Sequence, residues 1–541
     1  MLILSPLVVR ANEQEVNPTF SLYILAYQRY ERCPGYSLYI YSQLEELGID
    51  ILDYDSADFS EIAVRTWDYP LIEYDYIPSY EQGGFDICIL QSQWNLDWNP
   101  LGRFSSCCYP LHRRNFCQFG NLTFISALSQ YEHSRDYADF DNYLSTLQNI
   151  LFEELPAISI YYKSDIFLLN KNISSFDTFL FSQNQFNPET WEDSFDDELI
   201  YIHPFNETGT EQYLGVPNNF IFPISYIDGK WIKSVYGSLF KRDPISHEYI
   251  PYLAQDFTIS SNGYNITINL RSDIKFSNGD NLTAEDVKYT YDLLKTPALQ
   301  LTVYSNPYSS MIDNVTVVDS NTLVFELEHP FANVLDPHTS LIINSSFELL
   351  NFGIIEKSLV EPLVSIYGYD IFRQQPYSTN ISNELLTSCG PYRISEFNLE
   401  NLTYELVPNE YWFGDEPNIN RIQIKHVAGK DGGYIAVQNG FADVADKNYF
   451  FHPLDVGGQA KTSIVSALKT EDWYINMLHP YLGKGELTPV GTPEAAKYIR
   501  KAISHVLNRT LIVQVCNDYV SVPAITTQPY DSIGFDQGLE P

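Results

Sequence analysis

Residues 249–297 read YIPYLAQDFTISSNGYNITINLRSDIKFSNGDNLTAEDVKYTYDLLKTP, and the fold class follows from how their side chains alternate. PYLAQDFTIS (251–260) and YNITINLR (264–271) alternate apolar and polar residues about a Ser261-Asn262-Gly263 turn, the pattern of a hairpin with one buried face. A second turn, Phe276-Ser277-Asn278-Gly279-Asp280, precedes LTAEDVKYTYDLLKTP. There Thr283 is a helix cap, and Asp286 stands where its carboxylate can reach back to the cap. Val287, Tyr291 and Leu294 then form an apolar stripe at helical spacing, and Pro297 follows the end. Two strands followed directly by a helix indicate a mixed α/β protein.

The same alternation extends in both directions. NVTVVDSNTLVFELEHP (314–330) predicts a hairpin with strands Val315 to Val318 and Leu323 to Leu327. CGPYRISEFNLENLTYELVPNEYWFGDEPNINRIQIKHV (389–427) predicts two amphipathic strands and a third. GGYIAVQNGFADVAD (432–446) reads as a short helix ending at Gly440 and leading into a buried strand, and PEAAKYIRKAISHVL (493–507) as a helix. Towards the amino terminus, FSLYILAY (20–27), YSLYIYSQLEELG (36–48) and IDILDYD (49–55) predict a β-α-β unit whose helix Gly48 closes. GGFDICILQSQW (83–94) is a further apolar strand, whose end delivers Trp94 and Asp97 to the loops where ligands gather in open α/β sheets. NYLSTLQNILFEELPAISIYY (142–162) predicts a helix stopped before Pro156 and a strand beyond it. Residues 176–197 have no steady period and read as a connector near a domain boundary.

Composition narrows the function. The 541 residues carry 32 Lys plus Arg against 69 Asp plus Glu, a net charge of −37, which opposes the cationic surface that a nucleic-acid partner requires. With 44% hydrophobic and only 19% charged residues the chain is a folded acidic protein, not a disordered tail. Of seven cysteines, Cys33, Cys88, Cys107, Cys108 and Cys117 lie in the first quarter of the chain. Cys107, Cys108 and Cys117 lack paired C-x-x-C spacing, so a disulfide within that loop is expected and a metal site is not. No run approaches the roughly 20 apolar residues of a membrane span, and MLILSPLVVRAN makes a poor secretion signal, whereas recurrent Asn-x-Ser/Thr sites favour export. There is no H-E-x-x-H, G-x-S-x-G or G-x-x-x-x-G-K-S/T to mark an enzyme; an acidic pair for glycoside hydrolysis is the enzymatic alternative.

Seven blocks, YIPYLAQDF (249–257), LRSDIKFSNGDNLTAEDVKYTYDLL (270–294), VTVVDSNTLVFELEHPF (315–331), CGPYRISEF (389–397), VPNEYWFGDEPNINRIQI (407–424), AVQNGFADV (436–444) and RKAISHVLNRTLIV (500–513), resemble the family 5 extracellular solute-binding proteins, the peptide-binding components of ABC transporters. GYSLYIYSQLEELGIDI (35–51), GGFDICILQSQWNLDWNP (83–100) and LQNILFEELPAISIYY (147–162) resemble the part of that family that comes last. ELIYIHPF (198–205) and VYGSLFKRDP (235–244) resemble its beginning, so the order is rotated, as in a circular permutation or a fragment of a tandem array.

The resemblance implies a two-lobed α/β clamshell of the periplasmic-binding-protein type, with mixed sheets and an accessory subdomain. On that reading residues 1–180 form part of the second lobe and return to the first. Residues 181–465 form the first lobe with an accessory subdomain at about 240–380, and residues 466–541 complete the second. The implied function is capture of a peptide or other small solute between the lobes and delivery to the membrane subunits of an ABC transporter. The implied protein is an extracellular, cell-surface or periplasmic monomer without cofactor, metal or catalysis. An oligosaccharide-binding member of the same fold is the alternative.

A peptide's terminal ammonium needs a carboxylate, and strands at a cleft can pair with its main chain whatever its sequence. The segment Trp94-Asn95-Leu96-Asp97-Trp98-Asn99-Pro100 resembles the family pattern in which an Asp binds that ammonium, although it is one residue shorter and has Asn99 at a second acidic position. Asp97 is thus the candidate for the ammonium, or else an Asp satisfied by backbone amides in a turn. Trp94 and Trp98 could wall the pocket or belong to the core. Tyr236, Cys389 and Gly390, with Pro391, are the candidates from the other lobe, and Tyr411 and Trp412 read as lobe packing. Arg103, Arg113 and Arg114 are candidates for a ligand carboxylate or a solvated basic patch.

Overall fold

The computed structural model describes residues 19–27, 36–70, 76–95, 98–105, 115–134, 137–174, 176–183, 191–193, 197–204, 231, 234–243, 248–296, 311–332, 334–335, 342–343, 350, 352–369, 387–398, 403–516, 520–532 and 535. The chain begins with a parallel unit: β1 (Phe20–Tyr27), α1 (Tyr36–Glu45) and β2 (Ile49–Ala57), the two strands in register from Phe20 on Ile49. α1 buries Tyr36, Ile40 and Leu44, one face at helical spacing, and Gly48 takes the φ of 74° that turns the chain into β2. α2 (Phe59–Arg65), capped by the Asp58 carboxylate, leads to β3 (Ile87–Gln93), which runs parallel to β1. β4 (Trp98–Asn99) precedes two helices, α3 (Leu122–Glu132), capped by Asn121, and α4 (Tyr137–Glu154).

Next comes β5 (Ala157–Asn170), 14 residues long. β6 (Ile173–Ser174) comes after it, α5 (Thr178–Ser182) and β7 (Glu192–Asp193) occupy the stretch read as a connector, and β8 (Glu198–His203) follows. A short hairpin of β9 (Phe240–Arg242) and β10 (Tyr249–Pro251) opens the next region. It continues through β11 (Ala254–Ile259), β12 (Asn265–Leu270), α6 (Ala284–Lys295), β13 (Ile312–Val317) and β14 (Thr322–Leu327). These four strands form an antiparallel sheet in the order β11-β12-β14-β13, so both hairpins legible in the sequence are present. The Thr283 N–H donates to the Asp286 carboxylate at 2.8 Å, completing the anticipated cap of α6. β15 (Val334–Leu335), β16 (Ile342–Ile343) and α7 (Lys357–Tyr367) follow.

The last third supplies β17 (Tyr392–Asn398), β18 (Thr403–Pro408), β19 (Arg421–His426), α8 (Lys430–Gln438) and β20 (Val444–Ala445). It ends with β21 (Ala460–Ile475), 16 residues long, then α9 (Pro493–Val506), α10 (Arg509–Cys516) and β22 (Val522–Pro523). One 11-stranded sheet gathers strands from the whole chain in the order β17-β18-β19-β8-β20-β5-β21-β3-β1-β2, with β22 on the side of β5. β5 and β21 sit in its middle as an antiparallel pair and belong to both halves. Leu168 and Leu169 of β5 pair with β20, whereas residues 157–163 pair with β21 residues 469–474, whose other edge pairs with β3. The two strands therefore cross from one half to the other.

Each half has its own core. On the β8 side Trp231, Tyr236, Leu406 and Ile422 pack continuously with Ile266, Tyr291 and Phe325 of the four-stranded sheet and α6. On the β3 side strand alternation sends Tyr474 to a core with Phe85, Phe124 and Leu144, and its neighbour Trp473 to the opposite face with Ile24, Ile40 and Ile503. The expected disulfide fails at Cys117, whose thiol is free and buried in this core beside Phe116. Burial pushes that thiol up to about 12, which withholds the thiolate that exchange requires. Cys107 and Cys108 lie outside the described residues. No helix among the described residues is long and apolar enough to cross a membrane.

Arg500 of α9 joins the late and early segments of this half. Its Nε and Nη2 donate to the Glu154 carbonyl at 3.0 and 2.6 Å, and Nη1 donates to the Leu482 carbonyl at 2.5 Å. It thereby satisfies the exposed carbonyl end of α4 with a charge-assisted bond. Arg500→Met should lower unfolding stability by about 3 kcal/mol, because three donors vanish and buried carbonyls lose their partners. Denaturant unfolding checks this; a change within about 0.5 kcal/mol would mean that the joint does not depend on Arg500.

Candidate ligand-binding site

The ladder of the crossing strands is irregular at two points, between Ser466 and Lys469 and between Glu471 and Asp472, and the first bears on the ligand segment. Between Ser466 and Lys469 the register against β5 shifts, leaving Ala467 and Leu468 without partners on that side. Leu468 adopts a φ of 48°, a left-handed conformation that a branched side chain takes only under constraint. The constraint is visible: its side chain is fully buried, and its carbonyl accepts the Trp94 N–H at 2.8 Å. The bulge thus holds the end of β3 where the candidate ligand segment begins.

Trp94 is 3% exposed, and its indole Nε1 has no hydrogen-bond partner among the described residues. Asp97 lies outside the described residues, as does the side chain of Trp98, whose backbone forms β4 with Asn99. Asn99 is a turn former: its side-chain oxygen accepts the Leu101 N–H at 3.1 Å and its amide donates to the Tyr131 hydroxyl at 2.9 Å. β4 pairs with β16, which pairs with β15, so the segment that carries Asp97 is tied by backbone to the region of the four-stranded sheet.

On the other half Tyr236, Cys389 and Gly390 come together. The Gly390 N–H donates to the Val235 carbonyl at 2.8 Å, and the Cys389 thiol donates to the Ile354 carbonyl at 3.5 Å. A side chain at Gly390 would come within 2.5 Å of the Ser234 carbonyl, so glycine is required there for close backbone approach. Tyr236 and Cys389 are both buried, and the Ser388 hydroxyl beside them is buried with no hydrogen-bond partner among the described residues. Trp412 packs against Tyr252 at 5.4 Å, and Lys275 lies over the Tyr411 ring. Arg113 and Arg114 lie outside the described residues.

Sequence reading passed over the acids of the crossing strands. Glu471 and Asp472 are both buried and point to opposite faces of β21. Tyr36 and Tyr161 donate to the two Glu471 carboxylate oxygens at 2.7 and 2.6 Å. Asp472 accepts the Ser159 hydroxyl at 2.6 Å, and its second oxygen has no hydrogen-bond partner among the described residues. Behind it Ser92 bonds Tyr474, whose hydroxyl accepts Arg103 Nη1 at 3.4 Å. Nearer the bulge, Lys447 donates to Asp165 at 2.6 Å. Burial pushes the Asp165 carboxyl up, but Lys447, Lys469 and Lys163 outweigh it and bring it down to about 2. The signal that could have found the buried acids is two adjacent carboxylates inside the otherwise apolar strand end EDWYI (471–475). Among the described residues no group of three or more His, Cys, Asp or Glu is placed to hold a metal ion.

Two sheet halves with separate cores are joined by two crossing strands, and the loop after β3 hangs on the crossing point, which is the two-lobed arrangement that the resemblance implied. The chain belongs to the bacterial extracellular solute-binding proteins, family 5, whose middle-region profile matches residues 248–541. It is 24% identical over 309 residues to the "Glutathione-binding protein GsiB" of Shigella boydii serotype 4 (strain Sb227), covering 57% of this chain and 53% of that protein. The protein of the same name from Escherichia coli O157:H7 gives the same values. The chain therefore spans about half the length of the curated relatives it matches. Among solved structures, NikZ from Campylobacter jejuni in complex with Ni(L-His) shares 22% identity with a TM-score of 0.35, over 46% of this chain and 43% of that one. The periplasmic oligopeptide-binding protein of Thermotoga maritima shares 20% identity with a TM-score of 0.37, over 48% and 43%.

Burial pushes the Asp472 carboxyl up to about 7, against the opposing pull of Ser159, Ser92 and Arg103. A group whose pKa is raised on folding contributes its stability in full below its unfolded value, near 4, and loses it as pH rises through about 7. Asp472→Asn should therefore remove a loss of stability, on the order of 3 kcal/mol, between pH 4 and 8. Urea midpoints across that range check it; parallel pH profiles for the two proteins would contradict it.

Proposed function

We propose that this protein captures a peptide between the two halves of its sheet and delivers it to the membrane subunits of an ABC transporter. The observation that carries the reading is the Leu468 bulge, where the strands that join the halves also hold Trp94, three residues before Asp97 in the sequence. In this reading Asp97 receives the peptide ammonium, the indole Nε1–H of Trp94 donates to a ligand carbonyl, and Trp98 walls the pocket. Tyr236, Cys389 and Gly390 shape the facing wall, and residues beyond 466 complete the lobe begun by residues 1–180, with residues 181–465 as the other. The rotated order relative to the family follows from that division. The protein acts outside the cell, as a monomer, without chemistry on its ligand and without a nucleic-acid partner, in keeping with its charge of −37.

Calorimetric titration with tri-alanine tests this. The protein should bind it, and Asp97→Asn or N-acetylation of the peptide should each weaken binding by about 10- to 100-fold, the loss of one charge-assisted bond. Recovered peptide should be intact by mass spectrometry. Heat with mannohexaose and none with peptides would replace this reading by the oligosaccharide one, and cleaved ligand would replace it by an enzyme.

A further inference from the structure

We propose that the pairing of β4 with β16 is a latch between the two halves, formed when they are together and parted when they separate. The proposal rests on the binding reading above, because it concerns the same segment. β4 belongs to the β3 half: Leu101, Phe104 and Trp94 on either side of it lie in the core built around Phe85 and Phe124. β16 belongs to the other half. It follows β14, whose Leu323, Phe325 and Leu327 lie in the core shared with Tyr236 and Leu406, and it precedes Leu350 and Phe352 of that same core. Ile342 faces Asn99 and Ile343 faces Trp98 in antiparallel register.

Apart from β5 and β21, this is the place where strands from the two halves join in a sheet among the described residues. Rotation about the crossing strands can bend them at the bulge while their ladder survives. The β4–β16 ladder joins strands that belong to different halves, so rotation of one half against the other strains it. Its size suits reversibility. Two facing residues on each side supply a couple of backbone hydrogen bonds, each of modest net strength, rather than a buried core. Its position suits coupling. β4 starts one residue after Asp97, and Trp94, three residues before Asp97, is fastened to the Leu468 carbonyl. The segment is thus held by its own half at one end and by the opposite half at the other. A ligand held at Asp97 fixes the conformation in which β4 meets β16, and the pairing in turn retains the ligand.

Two measurements decide this. In the full chain carrying Trp98→Cys and Ile343→Cys, the facing cysteines should form a disulfide under copper-phenanthroline oxidation, identified by non-reducing peptide mapping; directly opposed strand residues bring Cβ atoms within bonding reach. Failure to form it would overturn the latch whatever the ligand. Separately, Ile343→Pro, which weakens the backbone pairing of β16, should speed dissociation of Ala-Ala-Lys carrying a fluorophore on its lysine by about tenfold. An unchanged dissociation rate would also overturn the latch. If the unaltered protein binds no such peptide, the peptide reading fails, and the disulfide alone decides whether the halves are joined here.

Discussion

The hydrogen-bonded ladder between β5 and β21 is the constraint on which the rest of the molecule depends, because every other element lies on one side of it or the other. Its burial varies along its length. β5 is buried over residues 157–162 and 166–170 but only half-buried at Lys163, Ser164 and Asp165, and β21 is half-buried or exposed over 461–465. β5 is thus fixed at both ends by side-chain packing, while its middle at 163–165 and the 461–465 run of β21 are held mainly by main-chain bonds. Bending a ladder changes dihedrals without removing apolar surface from a core, so the neck is where the two halves can move at least expense of hydrophobic burial.

Charge at the neck follows from the same geometry. Lys163 and Lys469 stand directly opposite each other in the ladder, an arrangement that by itself destabilises the strand pair. Asp165, two residues along from Lys163 on the same face, and Lys447 from the loop after β20 complete the group. Asp165 thus acts as a shared counter-ion for three lysines and is held ionised far below the usual carboxylate range. In a chain with a net charge of −37, four partly buried charges of mostly positive sign at the junction are a local departure that composition could not reveal.

How far the sequence could be read depended on the range of the interactions involved. The Thr283–Asp286 cap, the Gly48 and Gly440 helix endings and the hairpins at 254–270 and 312–327 are set by residues within a few positions of one another, and all are present. The bulge at Leu468 was not legible. Nothing in SALKTEDWYI (466–475) marks a break, and the left-handed turn within it goes with a carbonyl bonded to Trp94, nearly four hundred residues earlier. The disulfide expectation erred for a related reason: spacing counts cysteines that could meet, but Cys117 is claimed by an apolar core assembled from β3, α3 and β21. Tyr236, Cys389 and Gly390 were chosen separately by sequence, and their packing against one another emerges only when residues 234–237 and 388–390 are brought side by side.

Glu471 and Asp472 bring the local and the global together. Strand alternation dictates that adjacent residues of a strand buried on both faces point into different cores, so two neighbouring acids here meet separate environments. Among the described residues neither is answered by a direct ion pair: Glu471 is satisfied by two tyrosine hydroxyls and Asp472 by a serine hydroxyl, with Arg103 reaching only as far as Tyr474. Neutral donors compensate a buried carboxylate less fully than a cation does, and burial therefore raises both groups above their usual range. Replacing such acids with apolar residues would fill the same space, but it would leave the hydroxyls of Tyr36, Tyr161 and Ser159 without their acceptors. Tyr36 comes from α1, Tyr161 and Ser159 from β5, and the acids from β21. These hydrogen bonds therefore specify how segments hundreds of residues apart align in one half, which apolar packing alone would leave less defined.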